Sequence, residues 1–266
     1  MSKKNLRILL ASRPTGEPTL ENFDIRESDI PTSQPDRMLL RAIYLSLDPY
    51  LRGRMNAGKS YAKPVEIGEV MEGRTIAEVV SSDLVDYKAG DLVFNPNHGW
   101  QIFASSDGNG VHKVDPSVSP TSYALGVLGM PGLTAYTGLG NIGCPKAGET
   151  LVVAAASGAV GSVVGQIGRI RNCRVVGIAG GTAKCDYVKG ELGFDECLDR
   201  REPNLAERLR AVCPKGIDVY FENVGGQVFE AVLPLLNDFA RIPVCGLISH
   251  YNATESEPGP DRLRLA

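Results

Sequence analysis

Between Leu151 and Gly168 the chain reads LVVAAASGAVGSVVGQIG, a short apolar run that breaks and then resumes at helical spacing. No other stretch limits the fold as tightly. Leu151 to Ala156 predicts a buried parallel strand, and Val160, Val163, Val164, Ile167 and Ile170 fall on one face of a helix. In the break, Gly158 lets the backbone approach a pyrophosphate, whose charge suits the free N–H groups at a helix N-terminus. Gly161 lets the helix pack closely on the strand. Ser157, Gly158, Ala159, Val160 and Gly161 are the expected cradle. Ala156 stands where the common dinucleotide fingerprint has its first glycine. The small residues therefore support either a nucleotide cradle or a merely tight strand–helix turn. A strand before, a helix after and a second strand on cue favour the cradle.

The surrounding text divides into two grammars. Residues 1–123 read as β-structure with turns: a strand in DRMLLRAIYLSL (36–47), a long glycine-started strand in IGEVMEGRTIAEVVSS (67–82), and a turn at Gly90-Asp91 before another strand. Helical periodicity is almost absent there. Residues 124–266 alternate, with strands expected at 151–156, 174–179, 195–198, 217–221 and 240–246. Helices are expected between them at 159–171, 183–192, 204–212 and 226–236. That alternation predicts a doubly wound parallel sheet covered by helices, so the fold class is α/β with a β-rich first domain.

The nucleotide is chosen about twenty residues beyond the break. An NAD site wants Asp or Glu at the end of the second strand, to accept from the ribose 2′-hydroxyl. Here that strand ends VVGIAGGTAK, with no acid from Val175 to Lys184. Gly180 and Gly181 leave room for a 2′-phosphate and Thr182 can donate to it. Lys184 can neutralise it, or can stand as a solvated lysine of the first helical turn. The missing acid decides, and the expected cofactor is NADP(H).

Composition removes other classes. Net charge is −3 with no block of like charges, so neither nucleic acid nor an anionic membrane surface is an expected partner. No apolar run is long enough to span a bilayer, and Lys3-Lys4 is not followed by a secretory core. The six cysteines (Cys144, Cys173, Cys185, Cys197, Cys213 and Cys245) contain no CxxC pair. They are expected to be reduced and mostly buried, as in a cytoplasmic protein. His98 and His112 lie near no cysteine at ligand spacing, so no zinc site is expected.

LSLDPYLRGRM (45–55), LGVLGMPGLTAYTGL (125–139), AAASGAVG, FENVGG (221–226) and CGLISHYN (245–252) together resemble one family. It is the zinc-free branch of the medium-chain dehydrogenase/reductases that holds prostaglandin reductases and NADPH-dependent curcumin reductases. The likeness runs along essentially the whole chain. It implies a GroES-like first domain, a Rossmann second domain and a cofactor cleft between them. It also implies NADPH-dependent reduction of the carbon–carbon double bond of an enone or enal. Zinc-dependent cousins carry ligands in the first domain, where this chain has LDPYLRG and IGEVMEG and no cysteine.

Conjugate reduction needs hydride at the β-carbon, stabilisation of the developing enolate oxygen and a proton at the α-carbon. Without a Lewis acid, hydroxyl donors must polarise the carbonyl. Tyr251, after the fifth strand, and Tyr50 and Tyr61 in the first domain are the candidates. Each could instead be a half-buried packing residue, and a water or a cofactor hydroxyl could supply the proton. The resemblance adds Thr134, Asn223 and the backbone of Cys245, Gly246 and Ser249 as cofactor contacts. Arg200 stands where some relatives have a tyrosine near the adenosine ribose, and could bind the 2′-phosphate or lie on the surface. Arg52 and Arg54 are expected to hold their loop by ion pairs.

Family members continue beyond GPDRLRLA with a sixth Rossmann strand that pairs across a homodimer and a segment that returns to the first domain. Neither is found here, so the Rossmann domain is expected to lack its last strand. The edge of the fifth strand would then be open, NADPH binding weak and self-association abnormal. Two alternatives stay open: an NADPH:quinone oxidoreductase, and a catalytically silent NADP-binding protein.

Overall fold

The computed structural model describes residues 4–58 and 62–255, so Tyr61 and the tail from residue 256 lie outside the described residues. The chain divides into two compact units, Met1–Leu125 and Gly126–Ala266.

In the first unit, β1 (Asn5–Leu10) and β2 (Phe23–Ser28) form an antiparallel ribbon. The main sheet is antiparallel and has five strands. These are β3 (Met38–Leu45), β4 (Thr75–Ser82), β5 (Leu92–Asn95), β6 (Phe103–Ser106) and β7 (His112–Lys113), in the order β6-β3-β4-β5-β7. Alternation sets one face inward: Met38, Leu40, Ala77, Val79 and Val93 pack together beneath Leu84 and Tyr87. Each such side chain contributes about 1.5–3 kcal/mol on burial. A second cluster joins Leu10, Met55, Val65 and Met71 to Phe23 and Trp100. A single helical turn, α1 (Leu51–Arg54), carries the LDPYLRG segment. The long strand expected over 67–82 forms only as β4. Its first half turns at Gly68, whose φ is +89°, and touches β1 through a single bridge at Val70.

The second unit is a parallel sheet of β8 (Thr150–Ala154), β9 (Arg174–Ala179), β10 (Glu196–Asp199), β11 (Ile217–Phe221) and β12 (Leu236–Arg241). Its order is β10-β9-β8-β11-β12, so the chain reverses its direction of winding between β8 and β11. Ligands bind at such a switch point, outside the carboxyl ends of the strands. Successive residues of β8 serve opposite faces. Leu151 and Val153 pack under Val160, Val164 and Ile167 of α3 (Ala159–Ile170), with Ala135 of α2 (Met130–Thr137) and Val188 of α4 (Thr182–Gly190). Val152 and Ala154 pack under Leu209 of α5 (Leu205–Val212) and Val228 and Val232 of α6 (Gly226–Val232). Both faces are covered, as the alternating sequence predicts.

Three expectations need correction. The helix expected to reach residue 236 stops at Val232, because Pro234 cannot continue its hydrogen bonding and a 3-10 turn follows. The fifth strand lies earlier than 240–246. β12 pairs with β11 at Ile217–Leu236 and Val219–Arg241 with an irregularity between, where Phe239 takes φ +62° and is 95% exposed. Beyond it only a bridge between Glu222 and Val244 continues the pairing. Finally, Cys144 and Cys245 are exposed, while Cys173, Cys185 and Cys213 are buried. Among the described residues no helix is long and apolar enough to cross a membrane.

Candidate functional site

β8 delivers the chain to the sheet's carboxyl edge at Ala154, and Ala155 turns it with φ +51°. A left-handed alanine costs about 1–2 kcal/mol, so packing must hold it. Ala156 is fully buried against Gly177 of β9, where an added Cβ would stand 2.8 Å from the alanine methyl. A glycine on the neighbouring strand thus makes room for alanine at the fingerprint's first position. Gly158 donates its N–H to the Ala155 carbonyl (2.8 Å) and begins α3. A Cβ on Gly161 would lie 2.3 Å from that same carbonyl oxygen, so the helix approaches the strand end as only glycine permits. The N–H groups of Ala159, Val160 and Gly161 occupy the first turn, where no helical carbonyl reaches them. Ser157 is half-buried in the turn before them.

The end of β9 is more basic than its own sequence suggests. Parallel pairing sets Asp199 of β10 opposite Ala179, which brings the following Arg200 and Arg201 over Gly180 and Gly181. Arg200 Nε lies 3.4 Å from the Cβ position of Gly180, and Arg201 Nη1 lies 3.3 Å from that of Gly181. Neither arginine forms an ion pair among the described residues. Asp199 Oδ1 accepts the N–H groups of Gly181 (2.8 Å) and Arg201 (2.9 Å), which, with the charges of Arg201 and Arg208, hold its carboxyl below the usual range. The acid missing from β9 is therefore replaced by one from β10, one of whose oxygens, Oδ1, is held by backbone donors. Arg200 and Arg201 line a cavity of about 510 Å³ with Asn204, Gly225, Gly226 and Ser249. Thr182 opens α4 and is exposed, as is Lys184, which is absent from that lining. Arg201 and Asp199 were not legible in the sequence. The paired arginines of LDRR were the available signal.

At the switch point, Asn223 Nδ2 donates to the Ala154 carbonyl (2.8 Å) and ties the end of β11 to that of β8. Ser249 Oγ donates to the Val224 carbonyl at 2.5 Å. Thr134 and Cys245 line a smaller cavity of about 260 Å³ with Asn141, Phe221 and Pro243. Tyr251 is half-buried after a short 3-10 turn, and its hydroxyl stands 3.0 Å from the Cβ position of Gly246. A methyl at position 246 would press on that hydroxyl.

Tyr50 belongs to the first unit and immediately precedes α1. The guanidinium carbons of Arg54 and Arg74 stand 5.7 and 5.6 Å from its ring centroid, within cation–π range. Burial raises its phenol above the usual value, so the hydroxyl is a donor at neutral pH. Tyr50 lines a cavity of about 460 Å³ with Arg54, Glu72, Arg74, His98 and Gln101. Arg54 pairs with Glu72 (3.3 Å), whereas Arg52 ties its loop through the Gly16 carbonyl (2.8 Å) and Asn56 (2.7 Å). His98 is fully buried, with Nε2 3.1 Å from the Gln101 carbonyl oxygen, and desolvation lowers its pKa to about 4.

A zinc site needs three or four converging ligands. Among the described residues no three of His, Cys, Asp and Glu converge in that way, so the side chains present do not fit such an ion.

Residues 6–114 match a family model described as the N-terminal domain of oxidoreductase, and residues 159–260 match one described as zinc-binding dehydrogenase. The NADPH-dependent curcumin reductase of Escherichia coli (strain K12) is 57% identical over 263 residues, covering 99% of this chain and 76% of its own length. Prostaglandin reductase 1 of Rattus norvegicus is 44% identical over 250 residues, covering 92% and 73%. The crystal structure of CurA from Vibrio vulnificus in complex with NADPH superposes with a TM-score of 0.92 at 58% identity, covering 97% of this chain and 76% of that one. The fold of this chain, an antiparallel β-rich unit and a doubly wound parallel unit, is shared with that structure. The chain belongs to the medium-chain dehydrogenase/reductase family, in the branch of curcumin reductases and prostaglandin reductases.

Proposed function

We propose that this chain is an NADPH-dependent reductase of the carbon–carbon double bond of α,β-unsaturated ketones and aldehydes. One observation carries the cofactor choice: Arg200 and Arg201 stand over Gly180–Gly181 at the end of β9, a strand without an acid. A 2′-phosphate there meets two guanidiniums, whereas β9 itself offers a ribose 2′-hydroxyl no carboxylate. The close approach at Gly161 and the unpaired first-turn N–H groups of α3 fit a pyrophosphate. Relatives and a superposing structure named for NADPH support the same choice.

NADPH, when bound, supplies the hydride. The chain's own residues bind, orient and polarise. Ser157 to Gly161 hold the pyrophosphate, and Arg200, Arg201, Thr182 and Lys184 surround the adenosine end. Asn223, fixed by Ala154, braces the switch-point crevice together with Thr134, Cys245, Gly246 and Ser249. Tyr251 donates its hydroxyl to the substrate carbonyl oxygen; Tyr50 is the first unit's own candidate donor. Such a donor contributes about 2.7–4 kcal/mol to the transition state when it acts as the main one. Because the side chains offer no zinc ligand set among the described residues, elemental analysis is expected to find no stoichiometric zinc.

The test is NADPH oxidation followed with a panel of enones, enals and quinones. Turnover of enones and enals supports the reading. Turnover of quinones alone makes the chain a quinone reductase, and NADPH binding without any turnover makes it a silent binding protein.

A further inference from the structure

Glu222 directly follows β11 and is 1% exposed, yet no step of the proposed chemistry uses it. A buried carboxylate is costly unless its lone pairs are answered. Here they are answered by one loop and one strand. Oε1 accepts the N–H groups of Val224 (2.5 Å) and Gly225 (2.9 Å), and Oε2 accepts the hydroxyl of Tyr220 (3.0 Å). Its main chain works in parallel. The N–H donates to the Pro243 carbonyl (3.0 Å), and the carbonyl accepts from Cys245 (2.9 Å) and Gly246 (3.3 Å). Glu222 forms no ion pair among the described residues, so neutral donors alone stabilise its charge.

Those donors belong to segments that face the nucleotide in the reading above. Val224, Gly225 and Gly226 line the cavity that also holds Arg200 and Arg201. Gly225 and Gly226 adopt φ of +78° and +53°, a pair of left-handed residues that a free glycine loop samples among many others. The Glu222 carboxylate, through two charge-assisted bonds to successive N–H groups, selects this one.

The geometry points to Glu222 as a positioning residue, whose carboxylate pre-forms the Val224–Gly226 turn so that its ordering is complete before the dinucleotide arrives. This rests on the nucleotide-binding reading of the second unit. The advantage is entropic: a loop ordered at folding no longer weakens binding. Tyr220 holds the carboxylate's other oxygen but touches neither N–H, which makes it the natural control.

Three variants separate positioning from stability. Glu222→Ala is expected to weaken NADPH binding at least tenfold, measured by nicotinamide fluorescence without turnover. Glu222→Gln keeps a carbonyl oxygen for the two N–H groups and should stay within about threefold of wild type. Tyr220→Phe should lower the thermal midpoint while leaving NADPH affinity within about twofold. Affinity losses that simply follow the thermal midpoint across the three variants overturn the proposal. If Glu222→Ala does not fold, amide exchange in the unliganded wild type decides. Exchange of Val224 and Gly225 slowed at least ~100-fold supports a pre-formed turn, and unprotected exchange overturns it. A wild type with slow amides that binds no NADPH overturns the reductase reading while upholding the pre-formed turn.

Discussion

Arg201 shows how much a single side chain can decide. Its guanidinium and that of Arg200 lie against two glycines, without ion-pair partners among the described residues. Removing one should cost a phosphate contact and little else. Arg201→Ala is expected to weaken NADPH about tenfold, or ~1.4 kcal/mol, and to leave NADH nearly unchanged in the same titration. Equal losses for both cofactors would assign Arg201 to the fold. Lys184→Ala should have the smaller effect, because Lys184 does not line the cavity. Tyr251→Phe is expected to slow enone turnover by an amount equivalent to about 2.7–4 kcal/mol with NADPH affinity unchanged, since the phenol stands against Gly246 and Tyr251 does not line the cavity of Arg200 and Arg201. Unaltered turnover in that variant would make Tyr251 a packing residue. Gly158, Gly161 and the acid-free end of β9 were readable because they are local in sequence. Asp199 and Arg201 were not, since only the pairing of β10 with β9 carries them to Gly181.

At the scale of elements, the first cradle turn packs closely on β9 through Ala156 and Gly177. Ala156 fills the space Gly177 leaves, and a methyl on Gly177 would also press on Val188 and Cys197 at 3.1 and 3.2 Å. Gly177→Ala should therefore destabilise by about 1–3 kcal/mol in denaturant unfolding, and Ala156→Gly in the same chain should recover part of that loss. Additive effects of the two changes would contradict this pairing. In the first unit the loop between β5 and β6 buries His98, whose neutral form is favoured because desolvation lowers its pKa from 6.5 to about 4. The unfolded chain then binds the extra proton, so this stabilisation is complete above pH 6.5 and is lost as pH falls towards 4. It amounts to about 3 kcal/mol. Wild type should lose that much more stability than His98→Gln over this window; parallel curves for the two would refute the assignment. β8 and β9 were legible as apolar runs buried on both faces, and β11 as an apolar strand interrupted at Asp218. β12 was not: LNDFAR has no such run, and its bent pairing depends on Asn237 bonding to the Lys215 carbonyl and Asp218.

For the whole molecule, the proposed function assigns the dinucleotide to the second unit, through backbone approach, two arginines and a braced switch point. In the first unit, burial raises the phenol pKa of Tyr50, while the charges of Arg74 and Arg54, 5.6 and 5.7 Å from its ring centroid, act in the opposite direction. The proposed reaction delivers hydride to a carbon–carbon double bond. The most direct measurement uses NADPH deuterated at the transferable position, one enone, and product analysis by NMR. Deuterium on the β-carbon of a saturated ketone, with NADPH preferred over NADH at least ~10-fold in kcat/KM, is the predicted result. Deuterium on the carbonyl carbon of an allylic alcohol, or equal use of the two cofactors, would contradict it.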